Sequence, residues 1–178
     1  GPESAGSDPG PACYNRGGRN PTVTDADLVL GYLIAERYAD GSIPLNERRA
    51  TRALEKEIGE VMDVDAVGAA KLIRDKVDND MANGIAQELR VRGYEPRHFT
   101  LLAYGGNGPL HACGIANMLG VSRVMVPPFS AIFSAIGAGN MDQLHFHERS
   151  LYLSLYDSNT RTLFDDFPGF NALVEELE

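Results

Sequence analysis

Between residues 65 and 91 the apolar side chains Val67, Ala70, Ile73, Val77, Met81, Ile85 and Leu89 recur every three or four positions. That period predicts an amphipathic helix with one buried face. Gly93 is placed to end it, and the span predicts a rod of roughly 40 Å at 1.5 Å per residue. A rod of that length needs a partner along it. Upstream, Thr24 is a good N-cap, followed by Asp25 and Asp27 near the positive end of a first helix. The apolar face of that helix is Leu28, Val29, Tyr32 and Leu33. After Gly41 and Pro44 interrupt the chain, a second helix is expected over 46–61, with Ala50, Ala53, Leu54 and Ile58 inward.

Beyond the long helix the pattern shortens. A brief apolar run at 100–104 leads into glycines at 105–108, a helical stretch at 110–119 closed by Gly120, and a second apolar run at 121–126 stopped by Pro127 and Pro128. Two strands joined by about a dozen helical residues make a β-α-β unit, which pairs its strands in parallel with a right-handed crossover. A small-residue helix is expected at 130–138. The alternation of leucines with Tyr152, Ser154 and Tyr156 predicts a strand over 151–156 with one face buried. The end, 167–178, reads as a helix carrying Phe170, Leu173, Val174 and Leu177; it is still periodic at the last residue, as expected of a fragment. Residues 1–22 hold too many Gly and Pro for regular structure. Ala5, Ala12, Cys13 and Tyr14 among them suggest an ordered loop on a larger body. The fold class expected is therefore α/β, helix-rich with a short parallel sheet. Its divisions are a loop at 1–22, a main body at 23–140 and the start of a further region at 141–178.

Composition adds exclusions. The 178 residues are 43% hydrophobic and 23% charged, ordinary for a globular chain. A net charge of −9 with no basic run longer than Arg48–Arg49 argues against a nucleic-acid or anionic-membrane binder. No apolar run approaches the ~18–20 residues that span a bilayer, and the N-terminal residues lack a signal-peptide pattern. Cys13 and Cys113 form neither a metal-type nor a redox-type pair, so both are expected to be reduced, in a cytoplasmic protein.

The candidate chemistry centres on Gly105, Gly106, Asn107 and Gly108, followed by Pro109, a residue suited to the first turn of a helix. Glycines here let a ligand approach the backbone, and the unpaired N–H groups of the helix start favour an anion or a polar edge. The spacing matches neither a Rossmann fingerprint nor a P-loop; a plain tight turn is the competing reading. His111 in the first turn is either a general acid or base, or a histidine packed on a helix face. His145, His147 and Glu148 can share a strand face and a metal, or form a polar surface segment. Asn79 and Asn83, one turn apart, either face a ligand or belong to a solvated face with Asp78 and Asp80. Asp25 and Asp27 read as helix-start charges, with Asp25 alternatively holding a Mg²⁺–phosphate unit.

Several strings then coincide. Gly1–Tyr14 (GPESAGSDPGPACY), Pro21–Leu28 (PTVTDADL), Arg92–Arg97 (RGYEPR), Ala103–Cys113 (AYGGNGPLHAC) and Val126–Pro128 together resemble the hydantoinase A/oxoprolinase family, in the right order over about residues 1–140. Within it, Phe133–His145 (FSAIGAGNMDQLH) is most similar to the ATP-binding subunit of ketone carboxylases, those of acetone and acetophenone. The alternative within the family is an ATP-dependent hydantoinase or 5-oxoprolinase; outside it, a scaffold domain whose glycine loop is only a turn. The resemblance implies an actin-like, sugar-kinase-like (ribonuclease H-like) ATPase domain, of which this chain holds the second half. It implies that 100–119 is the motif embracing adenosine and that Gly105, Gly106, Asn107 and Gly108 line the nucleotide. Many relatives carry Ala where this sequence has Asn107. ATP and Mg²⁺ are the implied cofactors, with phosphate hairpins and most metal ligands outside this chain, which alone should not hydrolyse ATP. The implied partners are the rest of the same ATPase subunit and a larger hydantoinase B-like carboxylase subunit, in a hetero-oligomer.

Overall fold

The computed structural model describes residues 4–142, 146, 148–152, 154–163 and 167–177. The chain divides into two compact units, Gly1–Gly137 and Ala138–Glu178.

The first unit is built on helices. Helix α1 (Val23–Val29) starts two residues earlier than a Thr24 cap would place it, because Thr22 caps it instead. Thr22 Oγ1 accepts from Asp25 N, and the Asp25 carboxylate accepts from Thr22 N in return, a reciprocal capping box with Asp in place of Glu. Helix α2 (Glu47–Leu54) is capped by the Asn46 side chain. It runs on as a π-helical stretch (Glu55–Gly59) into a last turn, α3 (Glu60–Met62), so the single helix expected over 46–61 is continuous but locally widened. Helix α4 (Ala66–Val91) is the long rod, started by Asp65, whose carboxylate accepts from Gly68 N. At 26 residues it is about 39 Å long.

Alpha-helix α1 lies between two apolar clusters. Ala26 enters one with Leu54, Ala66, Ala69 and Ala70. Leu28 enters the other with Cys13, Leu45 and Ala50. Alanines dominate the first, so α1 and α4 approach closely there, whereas two leucines fill the second. The face that α4 buries differs from the one its apolar period predicts. Its most buried line is Ala66, Ala70, Arg74, Asp78 and Ala82, a strict four-residue row with two charges at its centre. Ile73, Val77, Met81, Ile85 and Leu89 are only half-buried beside it, and Val67 is exposed. The physical reason is that the charges have partners on the neighbouring helices, so the row that packs is the one that can satisfy them.

After α4 come strand β1 (Leu101–Leu102), helix α5 (Gly108–Leu119) and strand β2 (Val124–Met125). The strands pair in parallel with Leu101 opposite Val124 and Leu102 opposite Met125, as the β-α-β reading requires. Each is shorter than its apolar run, because among the described residues this sheet has two strands only. A 3₁₀ turn (Ser130–Ile132) leads into α6 (Phe133–Gly139).

The second unit corrects one expectation. The 151–156 run is not a strand with a buried face: Leu151, Tyr152 and Leu155 are exposed, and the extended pairing is β3 (Tyr156–Asp157) against β4 (Thr162–Leu163), antiparallel. Asp157 shapes the connecting turn by accepting from Asn159 N and Thr160 N, which holds its carboxyl below the usual range. Helix α7 (Pro168–Leu177) closes the described chain. No helix among the described residues is long and apolar enough to cross a membrane.

Candidate functional site

Strand β1 delivers the chain into Gly105 at φ 84°, a backbone conformation that a side chain would strain. Gly105 N donates to Ser130 O at 2.8 Å, and the Tyr104 ring packs on Phe133 with centroids 5.5 Å apart. The 129–133 turn is therefore the flank of the glycine loop, a neighbour that sequence spacing did not reveal. A Cβ placed on Gly105 or Gly106 would meet nothing within 4 Å. The loop's outer side is thus open, as a backbone-approaching ligand needs. Asn107 stands at the N-cap of α5 but its side chain makes no capping bond, and Pro109 occupies the first turn. The start of a twelve-residue helix is accordingly left without a side-chain cap, with its dipole aimed at the loop.

Behind this open loop lies a closed polar cluster. Arg74 from α4 is 6% exposed, and its guanidinium donates to Asp27 Oδ1 of α1 and to the Leu110 carbonyl in the first turn of α5. Its Nε lies 3.7 Å from Asp78 Oδ2. The ring of Tyr32 covers it, with the guanidinium carbon 4.0 Å from the centroid. His111 Nδ1 donates to Asp78 Oδ1 at 2.6 Å, and its Nε2 is 3.8 Å from Asp27 Oδ2. A carboxylate beside a guanidinium only accepts, which fixes the imidazole hydrogen on Nδ1. Four charged or polar residues on three helices thus join at one point, and among the described residues no buried side-chain polar atom lacks a partner. Gly114 completes the joint: a Cβ there would run into the Asp78 carboxylate.

The sequence-derived candidates fall out differently. His111 is buried in the joint, so it is the packed helix-face histidine and not a solvent-reachable acid or base. Asp25 and Asp27 are not simple helix-start charges. Asp25 is fully buried, and its carboxylate accepts from Ala12 N at 3.2 Å, Cys13 N at 2.7 Å, Thr22 N at 2.9 Å and Thr22 Oγ1 at 2.8 Å. Four donors inside the protein leave it facing the 10–14 loop, with no open edge for Mg²⁺. Asn79 and Asn83 are exposed on α4. Arg74 meets Leu110, Asp78 meets His111 and Gly114, and Gly84 to Glu88 line a groove with Leu119. The two helices therefore run side by side in the same sense, which sets Asn83 beside the far end of α5. That is roughly 16 Å of helix from the glycine loop.

Both cysteines are free. Cys13 is buried, and desolvation together with the neighbouring Asp25 pushes its thiol well above the ordinary value, so it stays an unreactive thiol. Cys113 is exposed. His145 and His147 lie outside the described residues. Among those described, no group of three His, Cys, Asp or Glu side chains is placed to hold a metal.

A family model described as hydantoinase/oxoprolinase matches residues 1–146. The chain belongs to this family. It is 40% identical over 177 residues to the acetophenone carboxylase gamma subunit of Aromatoleum aromaticum, covering 99% of this chain and 24% of that protein. It is also 40% identical over 177 residues to the caprolactamase subunit alpha of Pseudomonas jessenii, covering 99% of this chain and 25% of that one. A nucleotide-free structure of acetone carboxylase, an enzyme of ATP-dependent acetone carboxylation, superposes with a TM-score of 0.70 at 32% identity. That match covers 77% of this chain and 19% of the carboxylase chain. The chain thus spans about a quarter or less of the length of these relatives. The helix-rich architecture with a short parallel sheet is shared with the carboxylase structure, and the likeness to ketone carboxylases that the sequence motifs carry is met alongside an equal likeness to a caprolactamase.

Proposed function

We propose that residues 100–119 form the adenosine side of a nucleotide site, within a subunit that uses ATP to activate a carbonyl compound. The observation that carries the proposal is the open glycine loop at an uncapped helix start, at the carboxyl end of a parallel strand. Ligands of open α/β sheets bind at that end. Gly105 and Gly106 offer bare backbone to an adenine or ribose face, and Gly108 N is the donor at the start of α5, since Pro109 has no N–H and Leu110 N is spent on Asn107 O. The Asn107 carboxamide makes no capping bond and is a further polar group at this helix start. Asp25 and Asn83 are not carried into the site, for the geometric reasons above; Asn79, exposed on α4 next to Asp78, stays a candidate. The actin-like fold implied by the family resemblance, and the reliance on Mg²⁺ ligands from other parts of the protein, are parts of the same proposal.

The activity we infer first is carboxylation of a methyl ketone to a 3-oxo acid, in a hetero-oligomer with a larger hydantoinase B-like subunit. Bound ATP supplies the phosphoryl group that activates bicarbonate or the ketone. The motifs at 133–145 and the acetophenone carboxylase likeness support this reading. The equal identity to a caprolactamase subunit supports a second reading, ATP-dependent opening of a cyclic amide. ATP consumption by the full-length protein, with bicarbonate plus methyl ketones on one side and lactam, hydantoin or 5-oxoproline on the other, separates the two. The site itself is tested by Gly106→Asp. The new side chain points into open space, so the fold is kept, but a bound nucleotide meets both its bulk and its charge. ATP affinity measured by calorimetry on the full-length protein should fall about five- to a hundredfold, equivalent to ~1–3 kcal/mol. Unchanged affinity would leave the loop as a turn in a scaffold.

A further inference from the structure

A second cleft, of about 650 Å³, lies between the 12–19 loop and α2. It gathers Arg19, Arg48, Arg49, Arg52 and Lys56, five of the 16 basic residues of a chain whose net charge is −9. The sequence hides this concentration because the cations arrive from a loop and from successive turns of a helix, never as a run. Arg48, Arg52 and Lys56 are spaced four apart along α2 and its π-helical continuation, where like charges repel. Arg48 and Arg49 also sit in the first turn of α2, the positive end of its dipole. Both placements disfavour the empty fold, and both favour a bound anion.

The remaining chemistry of the lining points the same way. Lys56 is held by Glu57 at 3.1 Å. Arg49 donates to Asn15 Oδ1 at 2.8 Å. Arg19, Arg48 and Arg52 have no carboxylate partner among the described residues. Asn46 Oδ1 caps α2 through Arg49 N, so both lining carboxamides spend an oxygen on the protein. The loop wall is rigid, since Asp25 grips Ala12 N and Cys13 N, while Cys13 O accepts from Asn46 N at 2.7 Å. The five cations are exposed at the rim of an open cleft whose size fits a small molecule rather than an extended chain, and planar guanidinium forks match phosphate oxygens two at a time. Charge beyond about 8–10 Å is screened, so the local field is set by the five cations, with Glu57 in the lining paired to Lys56.

We propose that this cleft binds a small ligand bearing two or more phosphate groups. The site is separate from the glycine loop and the inference rests on neither the nucleotide reading nor the reaction. Tripolyphosphate is the probe, titrated into the full-length protein by calorimetry at low ionic strength, with inorganic phosphate alongside. Saturable binding is expected, tighter for tripolyphosphate than for phosphate. It should be weakened at least about tenfold by Arg48→Gln with Arg52→Gln and, independently, by Arg19→Gln on the loop wall. Gly106→Asp and the exposed control Arg90→Gln should leave it unchanged, which keeps this result distinguishable from failure of the nucleotide site. Equal tripolyphosphate affinity in wild type and the Arg48/Arg52 variant overturns the proposal. So does a wild type that ignores tripolyphosphate but takes up a polyglutamate peptide, because the cleft is then a protein-docking face.

Discussion

The two sides of helix α5 are opposites. Behind its first turn, Asp27, Arg74, Asp78 and His111 are buried and mutually bonded, with Gly114 leaving room for the Asp78 carboxylate. In front, Gly105 and Gly106 face open space and Asn107 caps nothing. The contrast teaches how a bare loop can be a defined surface. Backbone that offers donors to a ligand has few contacts of its own, so its position must be set by what it is attached to. Here the attachment is a guanidinium that holds the Leu110 carbonyl, two residues beyond Gly108.

Breaking the closed side should have the largest effect. Arg74→Leu removes the guanidinium that bridges the buried carboxylates of Asp27 and Asp78, and a buried charge left unpaired costs about 3–5 kcal/mol. Chemical denaturation of the full-length protein should register that loss, and ATP affinity should fall with it because Leu110 loses its anchor. A near-neutral stability change would mean that the cluster is not the joint between α1, α4 and α5. Gly114→Ala is the next test: the added methyl presses the Asp78 carboxylate away from α5, and overpacking of this kind costs typically about 1–3 kcal/mol. The open side should respond least. Gly106→Ala adds its methyl to empty space, and its effect on stability should stay within about 0.5 kcal/mol by the same denaturation assay.

The sequence made the open side and the elements legible, and hid the closed side. The 65–91 period located the long helix within a residue, because repeated apolar spacing is a local signal. The glycines, Pro109 and the flanking apolar runs located the β-α-β unit for the same reason. The buried row through Arg74 and Asp78 was not legible, since whether a charge is buried depends on partners 47 residues away at Asp27 and 33 residues away at His111. Asp25 shows the mixed case. The spacing of Thr22 and Asp25 is a local capping pattern, whereas its grip on Ala12 and Cys13 is set by how the 10–14 loop folds back. The strands are shorter than their apolar runs because such a run specifies only that a segment is covered, not how much of it pairs. No run of basic residues marks the basic cleft, because its cations meet only once α2 and the 12–19 loop are folded together.

The central claim is that the loop held by this joint is where nucleotide binds. Hydrogen exchange of the full-length protein with and without ATP tests it most directly. ATP should slow exchange of the amides at 105–112, and Gly106→Asp should abolish that slowing while leaving any change at 47–56, in the basic helix, untouched. Exchange at 105–112 that is the same with and without saturating ATP would contradict the claim.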